Sequence, residues 1–230
     1  MQTIGVLGGM GPAATAHFLR RLVVLSAAEE DQDYPPCLVY SASHIPDRTR
    51  HLVGDGTDPT PELRKAARVL EAGGAGVIAI PCNTAHAYLA AIRESVEIPV
   101  LDMIDLAAQA IAEAHPRARV GVLAATGTVQ LGLYQEKLAH NGLGVEQPDE
   151  AQQEQVMAAI RGVKAGGSGR DTRLDQTIAV LRDRGVEVLV LGCTELPLAV
   201  DPASTGIPVV DATEVLVRAC LAWAGGTVRP

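Results

Sequence analysis

A chain of 230 residues allows one large domain or two of about half that size, and it buries enough surface to need no disulfide staples. Hydrophobic side chains make up 47% of it but aromatic ones only 3%, so the core must be built from Val, Ile, Leu and Ala, as in helices packed on a buried parallel sheet. The net charge of −8 comes with no basic run, which argues against nucleic acid as a partner. No uninterrupted apolar stretch is long enough for a membrane span. The first residues, MQTIGVLGG, run straight into a strand without a basic leader region or cleavage site, so a cytoplasmic location is expected.

In chain order, strand-like runs are expected at Thr3–Leu7, Cys37–Tyr40, Val77–Ile80, Val100–Met103, Val120–Leu123, Val186–Leu191 and Pro208–Val210. Segments with helical period lie between them, among them Pro61–Ala72, Ala85–Ser95, Leu106–Ala114, Gly132–Asn141 and Arg173–Arg184. Gly73-Gly74, Gly142 and Gly185 follow helices, where a left-handed cap is wanted. The most flexible-looking stretch is the glycine-rich loop over residues 165–169. Alternation of strand and helix predicts an α/β fold with parallel sheets.

The chain also repeats itself. Ile4-Gly-Val-Leu-Gly-Gly9 resembles Val120-Gly-Val-Leu-Ala-Ala125, at an offset of 116 residues. The run from Gly76 to Thr84 resembles that from Glu187 to Thr194, with Cys82 and Cys193 offset by 111. Ile98-Pro-Val-Leu-Asp102 resembles Ile207-Pro-Val-Val-Asp211, at an offset of 109. Three matches in the same order predict a duplicated α/β unit. The expected division is residues 1–98 plus 208–230 for the first lobe and 99–207 for the second, each lobe a mostly parallel sheet flanked by helices, with the site in the cleft between them.

Cys82 and Cys193 each close an apolar strand and open a polar turn, at the sheet edge where open α/β folds bind ligands. Two thiols facing one cleft suit the inversion of a carbon centre, with a base on one face and an acid on the other. A helix N-terminus would favour the thiolate and bring its pKa down, and the same amides, with Asn83, Thr84 and Thr194, would hold a carboxylate. Cys37, at a strand start, and Cys220, in an apolar helix, read as ordinary small hydrophobes. None of the four cysteines forms a C-x-x-C pair, and in a reducing compartment all are expected as free thiols.

The motifs Ile4-Gly-Val-Leu-Gly-Gly-Met-Gly-Pro12, Ile45-Pro-Asp-Arg-Thr49, Pro81-Cys-Asn-Thr-Ala-His86, Thr126-Gly-Thr128 and Gly192-Cys-Thr-Glu-Leu-Pro197, with Lys164, resemble the aspartate/glutamate racemase family over essentially the whole chain, and within it the aspartate racemases most. The resemblance implies a cofactor-independent racemase for an acidic amino acid, acting as a homodimer of two-lobed subunits. It implies Cys82 and Cys193 as the acid/base pair. Met10, Asn83, Thr84, Thr126, Thr194 and Glu195 would line the site, and Arg48 and Lys164 would meet substrate carboxylates. Some members carry threonine at the first cysteine and work mainly in one direction; this chain keeps Cys82, which supports reversibility.

The residues also speak to the rivals. Only three lysines are present, Lys65, Lys137 and Lys164, and no phosphate loop accompanies them, which disfavours pyridoxal phosphate. Gly9-Met-Gly11-Pro-Ala-Ala14 matches a dinucleotide fingerprint, but no acid closes the next strand before Asp47, and Pro12 removes a donor. Cys82 and His86 share a helix face without a further ligand cluster, so no metal is expected, and His86 reads as a supporting residue or as a satisfied helix histidine. Glutamate, broad-specificity and hydantoin racemases, maleate isomerase and decarboxylase relatives, and a small-acid-binding protein without catalysis remain open. A glutamate racemase would show an Asp-Ser-Gly motif near its start, where this chain has Leu7-Gly-Gly-Met-Gly11.

Overall fold

The computed structural model describes residues 1–170 and 172–229. The chain runs β1 (Ile4–Gly8), α1 (Pro12–Leu25), β2 (Cys37–Ser41), α2 (Arg48–Leu52), α3 (Thr60–Ala72), β3 (Val77–Ala79), α4 (Leu89–Arg93) and α5 (Met103–Ala114). It continues through β4 (Arg119–Ala124), α6 (Thr126–Gln130), α7 (Leu133–His140), β5 (Gly144–Glu146), α8 (Glu150–Lys164), α9 (Thr172–Asp183), β6 (Val188–Gly192), β7 (Val209–Asp211) and α10 (Ala212–Ala224). Two compact units result: Met1–Met103 with the segment from Thr213 onward, and Ile104–Ala212. Among the described residues no helix is long and apolar enough to cross a membrane.

The fold is α/β, with two parallel sheets flanked by helices. The first sheet has the order β2-β1-β3 and the second β5-β4-β6-β7, every pairing parallel. Three strands read as apolar runs because they are covered on both faces: β1, β3 and β6 are buried along their whole length. Three helices contribute the same stripe at positions i, i+3, i+4 and i+7: Leu63, Ala66, Ala67 and Leu70 on α3, Val156, Ala159, Ile160 and Val163 on α8, and Leu174, Thr177, Ile178 and Leu181 on α9. The α3 stripe packs with Leu7, Ile78 and Ile80 in the first core, and α8 and α9 pack with Leu123, Leu189 and Leu191 in the second. Each fully buried leucine of this kind is worth roughly 1.5–3 kcal/mol.

The two sheets share one plan. In each, the earliest strand is central, the second pairs on one side and the third on the other. The registers correspond as well: Ile4 faces Val77 in the first unit, and Val120 faces Val188 in the second, the residues matched by the sequence repeat. The third repeat lands on β7 in the second unit, where Leu189 pairs with Val209, and on the Ile78–Val100 bridge in the first.

Some boundaries differ from those the sequence suggests. The run Val100–Met103 does not extend as a strand beyond that one bridge. Pro99 has no N–H to give, the Val100 carbonyl accepts from the Arg93 guanidinium at 2.8 and 3.2 Å, and Met103 already begins α5. The helix expected over Ala85–Ser95 is a 3-10 segment at Asn83–Tyr88 followed by the short α4. The units divide near residues 103 and 212 rather than 98 and 207, because Val209–Asp211 pair with β6. Strand β5 is a three-residue, partly exposed edge strand with too little pattern to read.

Candidate active site

In the first unit the site residues gather at the carboxyl edge of β1 and β3. The turn after β1 is tied to its helix: the Gly9 N–H donates to Thr15 Oγ1 (2.8 Å), and that hydroxyl donates to the Gly11 carbonyl (3.1 Å). Gly9 has φ +90°, and a Cβ there would lie 2.5 Å from the Ala42 nitrogen, so no side chain fits between this turn and the end of β2. The Gly9 amide is thus already committed, unlike that of a free phosphate-binding loop. Met10 and Cys82 are buried in one cluster.

Arg48 opens α2 and is buried. Its guanidinium donates to three backbone carbonyls: Met10 (3.1 Å), Pro46 (3.1 Å) and Ile45 (3.4 Å). Its Nε is buried without a partner, and no salt bridge to a carboxylate forms among the described residues. A buried cation in this state is costly unless an anion joins it. Asp47 caps α2 by accepting from the Arg50 N–H at 3.0 Å, which fixes where Arg48 starts.

Cys82 is buried, in extended conformation, at the entry to the Asn83–Tyr88 segment, and Asn83 and Thr84 beside it are buried as well. The Cys82 carbonyl accepts from His86 Nδ1 (2.9 Å), while His86 Nε2 accepts from the Met103 N–H (3.0 Å). These two bonds fix one neutral tautomer. Burial pushes the His86 pKa down, against the pull of Asp102 and of the Cys82 and Leu101 backbone. The imidazole thus ties the Cys82 turn to Met103 at the start of α5. Tyr88 has its pKa pushed up to about 12 by burial and by Asp58 and Asp47, against Arg48, and its hydroxyl is hydrogen-bonded to His51 Nδ1 at 2.7 Å. That bond holds α2, and hence Arg48, against the Cys82 turn. His51 and Tyr88 were not singled out from sequence, since neither carries a spacing signal.

In the second unit, Thr126 follows β4 and Cys193 follows β6, and the last residues of those strands, Ala124 and Gly192, are paired in register. Gly192 is required here: a Cβ would lie 2.6 Å from the Tyr134 ring. Gln153 on α8 donates through Nε2 to the Ala124 carbonyl (2.9 Å) and to Thr126 Oγ1 (3.4 Å), leaving its Oε1 buried and unpartnered. The Thr126 N–H donates to Met157 Sδ at 3.3 Å. Gln153 and Met157 went unread because α8 is polar along much of its length. The Asp149–Gln152 capping box, with reciprocal bonds of 2.9 and 3.0 Å, is the signal that marks the start of this helix.

Cys193, Thr194 and Glu195 are all buried. The Cys193 thiol donates to Glu195 Oε2 at 3.0 Å and the Thr194 hydroxyl to the same oxygen at 3.4 Å. Burial first, then the Glu195 charge, raise the Cys193 pKa well above the usual thiol value, while Lys164 pulls it down. The expectation that a helix N-terminus would lower it does not hold for this cysteine: the following 3-10 segment is a single turn, Leu196–Leu198, and an anion sits beside the sulfur. Lys164 ends α8 within electrostatic reach of Cys193. In the loop after it, Gly169 has φ +63° and is closely enclosed: a Cβ there would lie 2.3 Å from Val163 and 2.9 Å from the Ala159 carbonyl.

All four cysteines are free; Cys220 is fully buried, and burial raises the pKa of both Cys37 and Cys220. Among the described residues no group of three His, Cys, Asp or Glu side chains is placed to hold a metal. Lys65 pairs with Glu62 at 3.8 Å and Lys137 with Asp105 at 3.5 Å.

A duplicated parallel α/β fold with a buried cysteine closing the same strand in each half defines the class. The chain belongs to the Asp/Glu/Hydantoin racemase family, whose model matches residues 7–220. It is 31% identical over 225 residues to a broad-specificity amino-acid racemase of Bacillus subtilis, covering 94% of this chain and 95% of that one. Among solved structures, an aspartate racemase of Picrophilus torridus superposes with a TM-score of 0.87 at 31% identity, covering 100% of this chain and 96% of that one. An aspartate racemase homologue from Pyrococcus horikoshii gives 0.79 at 26% identity over 98% and 100%.

Proposed function

We propose that this racemase interconverts L- and D-aspartate without a cofactor, with Cys82 and Cys193 as its two bases. The observation that carries the reading is the equivalence of the two thiols. Each follows the third strand of a sheet built to the same plan and register, so duplication supplies one base from each half. Inversion needs such a pair: a thiolate removes the α-proton from one face while a thiol delivers a proton to the other, and the two exchange roles in reverse.

Arg48, buried and without a paired carboxylate among the described residues, and Lys164, near Cys193, are the cations suited to a dicarboxylate. Charge developing as the α-proton leaves moves onto the α-carboxylate, where donors aimed at that group stabilise it; one such donor is typically worth ~2.7–4 kcal/mol. Aspartate is placed first among substrates because the aspartate racemase of P. torridus matches over the whole chain. The B. subtilis relative supports a second reading, in which other amino acids are also accepted.

The test is proton NMR of the protein with L-aspartate in D2O, without added cofactor, with chiral analysis of the product. Loss of the α-proton signal together with D-aspartate is expected. Cys82→Ser and Cys193→Ser should each abolish racemisation, and near-normal racemisation by either variant would overturn the two-base reading.

A further inference from the structure

Thr126 opens α6 just past the carboxyl end of β4, and two side chains of α8 hold it. Gln153 and Met157 are four residues apart, so they lie on one face of that helix. Met157 Sδ accepts the Thr126 N–H at 3.3 Å, so the main-chain amide is already occupied. Gln153 Nε2 donates to the Ala124 carbonyl at 2.9 Å and to Thr126 Oγ1 at 3.4 Å. A carbonyl can only accept, so the shorter bond fixes which end of the Gln153 amide faces β4. The same NH2 group then meets the threonine, and the hydroxyl must accept from it.

A hydroxyl that accepts still has one proton to give. Among the described residues no acceptor takes the Thr126 proton, and Thr126 is only partly buried. The burden of the arrangement falls on Gln153, whose Oε1 is buried with no hydrogen-bond partner. An orphaned buried acceptor destabilises a fold, so packing alone would favour an apolar side chain at this position. The amide is held for what its nitrogen does.

We propose that Gln153 is a positioning residue for the racemase site, fixing the Thr126 hydroxyl as a donor turned away from α8 and toward a carboxylate oxygen of the substrate. The inference rests on the reading of Thr126 as a residue that lines a site for an acidic amino acid. A carboxylate is acceptor-only, so it is bound by an oriented O–H and repelled by an oriented lone pair. With its amide tied to Met157, Thr126 has the hydroxyl as its remaining donor. Gln153 acts through that hydroxyl and touches no substrate itself.

A double-mutant cycle on kcat/KM for L-aspartate separates this role from a structural one. Thr126→Val keeps the shape of the side chain and removes the hydroxyl; it should lower kcat/KM roughly 10–100-fold, the value of one hydrogen bond to a charged group. Gln153→Met keeps the unbranched stem and removes the NH2 donor; it should lower kcat/KM about tenfold, because the hydroxyl is present but no longer oriented. In the Thr126→Val background the same Gln153→Met change should cost less than about twofold. Loss of the Ala124 bond is common to both backgrounds and cancels in the cycle. An equal loss from Gln153→Met in both backgrounds would overturn the proposal.

The second readout needs neither a Gln153 variant nor a ligand. Nitrogen-15 NMR of the free protein follows the side-chain NH2 protons of Gln153. Thr126→Val should move one of them upfield while leaving the other side-chain amides in place, since one acceptor has been removed. Unchanged Gln153 resonances would overturn the proposal. A wild-type protein that leaves aspartate untouched would sink the substrate reading instead, and the Gln153 resonances would still decide whether this side chain holds the Thr126 hydroxyl.

Discussion

Arg48→Met separates binding from folding. The substitution keeps a long unbranched stem and removes the charge. It deletes two hydrogen bonds of 3.1 Å and one of 3.4 Å to backbone carbonyls. Bonds from a charged donor are worth roughly 1.5–3 kcal/mol each. Against that stands the desolvation of a buried cation with no carboxylate partner among the described residues, several kcal/mol in the opposite sense. The two nearly cancel, so without ligand the Tm should move by only about 2–4 °C, corresponding to ~1 kcal/mol in a chain of this size.

With substrate the balance is one-sided. Truncating one partner of a buried charge pair typically costs about 2–5 kcal/mol, so kcat/KM should fall between roughly 30-fold and several thousand-fold. Aspartate at roughly 100 times Kd stabilises the wild type by ~2.7 kcal/mol, or about 5–10 °C. That upward shift should fall to at most about a third in the variant. Thermal unfolding with and without aspartate, beside steady-state kinetics, reads both quantities. A variant whose Tm drops by far more than the expected few degrees while KM stays unchanged would show that Arg48 is a structural tie and not a carboxylate site.

His86 gives a pH prediction. Burial lowers its folded pKa below the ordinary 6.5, so below that value the unfolded chain takes up a proton that the folded protein does not, and stability falls as pH drops. The contribution reaches at most about 1.4 kcal/mol per pH unit, between ~6.5 and the lowered folded pKa, and fades above that window. In urea titrations between about pH 6 and 5, His86→Gln should lose that slope; an identical slope would refute the assignment. Gly192→Ala would place a methyl 2.6 Å from the fully buried Tyr134 ring and 3.1 Å from Ala124, an overpacking worth roughly 1–3 kcal/mol. Because Cys193 is the next residue, both the urea midpoint and the racemisation rate should fall, and an unchanged rate would show that the Cys193 turn does not depend on this contact.

Much of the fold was legible because its signals are local. The runs that became β1, β3, β4 and β6 are continuous Val, Ile and Leu segments, the pattern that only burial on both faces produces. The duplication was legible because strand registers conserve sequence spacing: matched residues in the two halves became matched partners in two sheets. The two cysteines were found for the same reason, each closing a strand at a sheet edge. Segments whose fate is set by neighbours were not legible. Val100 looks like strand, but Arg93 occupies its carbonyl and Pro99 lacks a donor. The edge strand β5 has too few residues for a period.

The site divides along the same line. Sequence by itself offered the candidate residue types: a thiol after a strand in each half, one arginine, one lysine, small hydroxyls and a glutamate. What each is able to do was decided by tertiary structure. The resemblance offers Arg48 as a carboxylate contact; only the folded chain buries it on three carbonyls, with no carboxylate paired to it among the described residues. The sequence Cys193-Thr-Glu195 does not reveal that the carboxylate turns back onto the thiol. Gln153, Tyr88 and His51 entered only through contacts between elements far apart in the chain. The physical reason is range: strand, helix and cap preferences are fixed within a few residues, whereas protonation and hydrogen-bond partnership depend on desolvation and on charges that only the packed fold brings within a few ångströms.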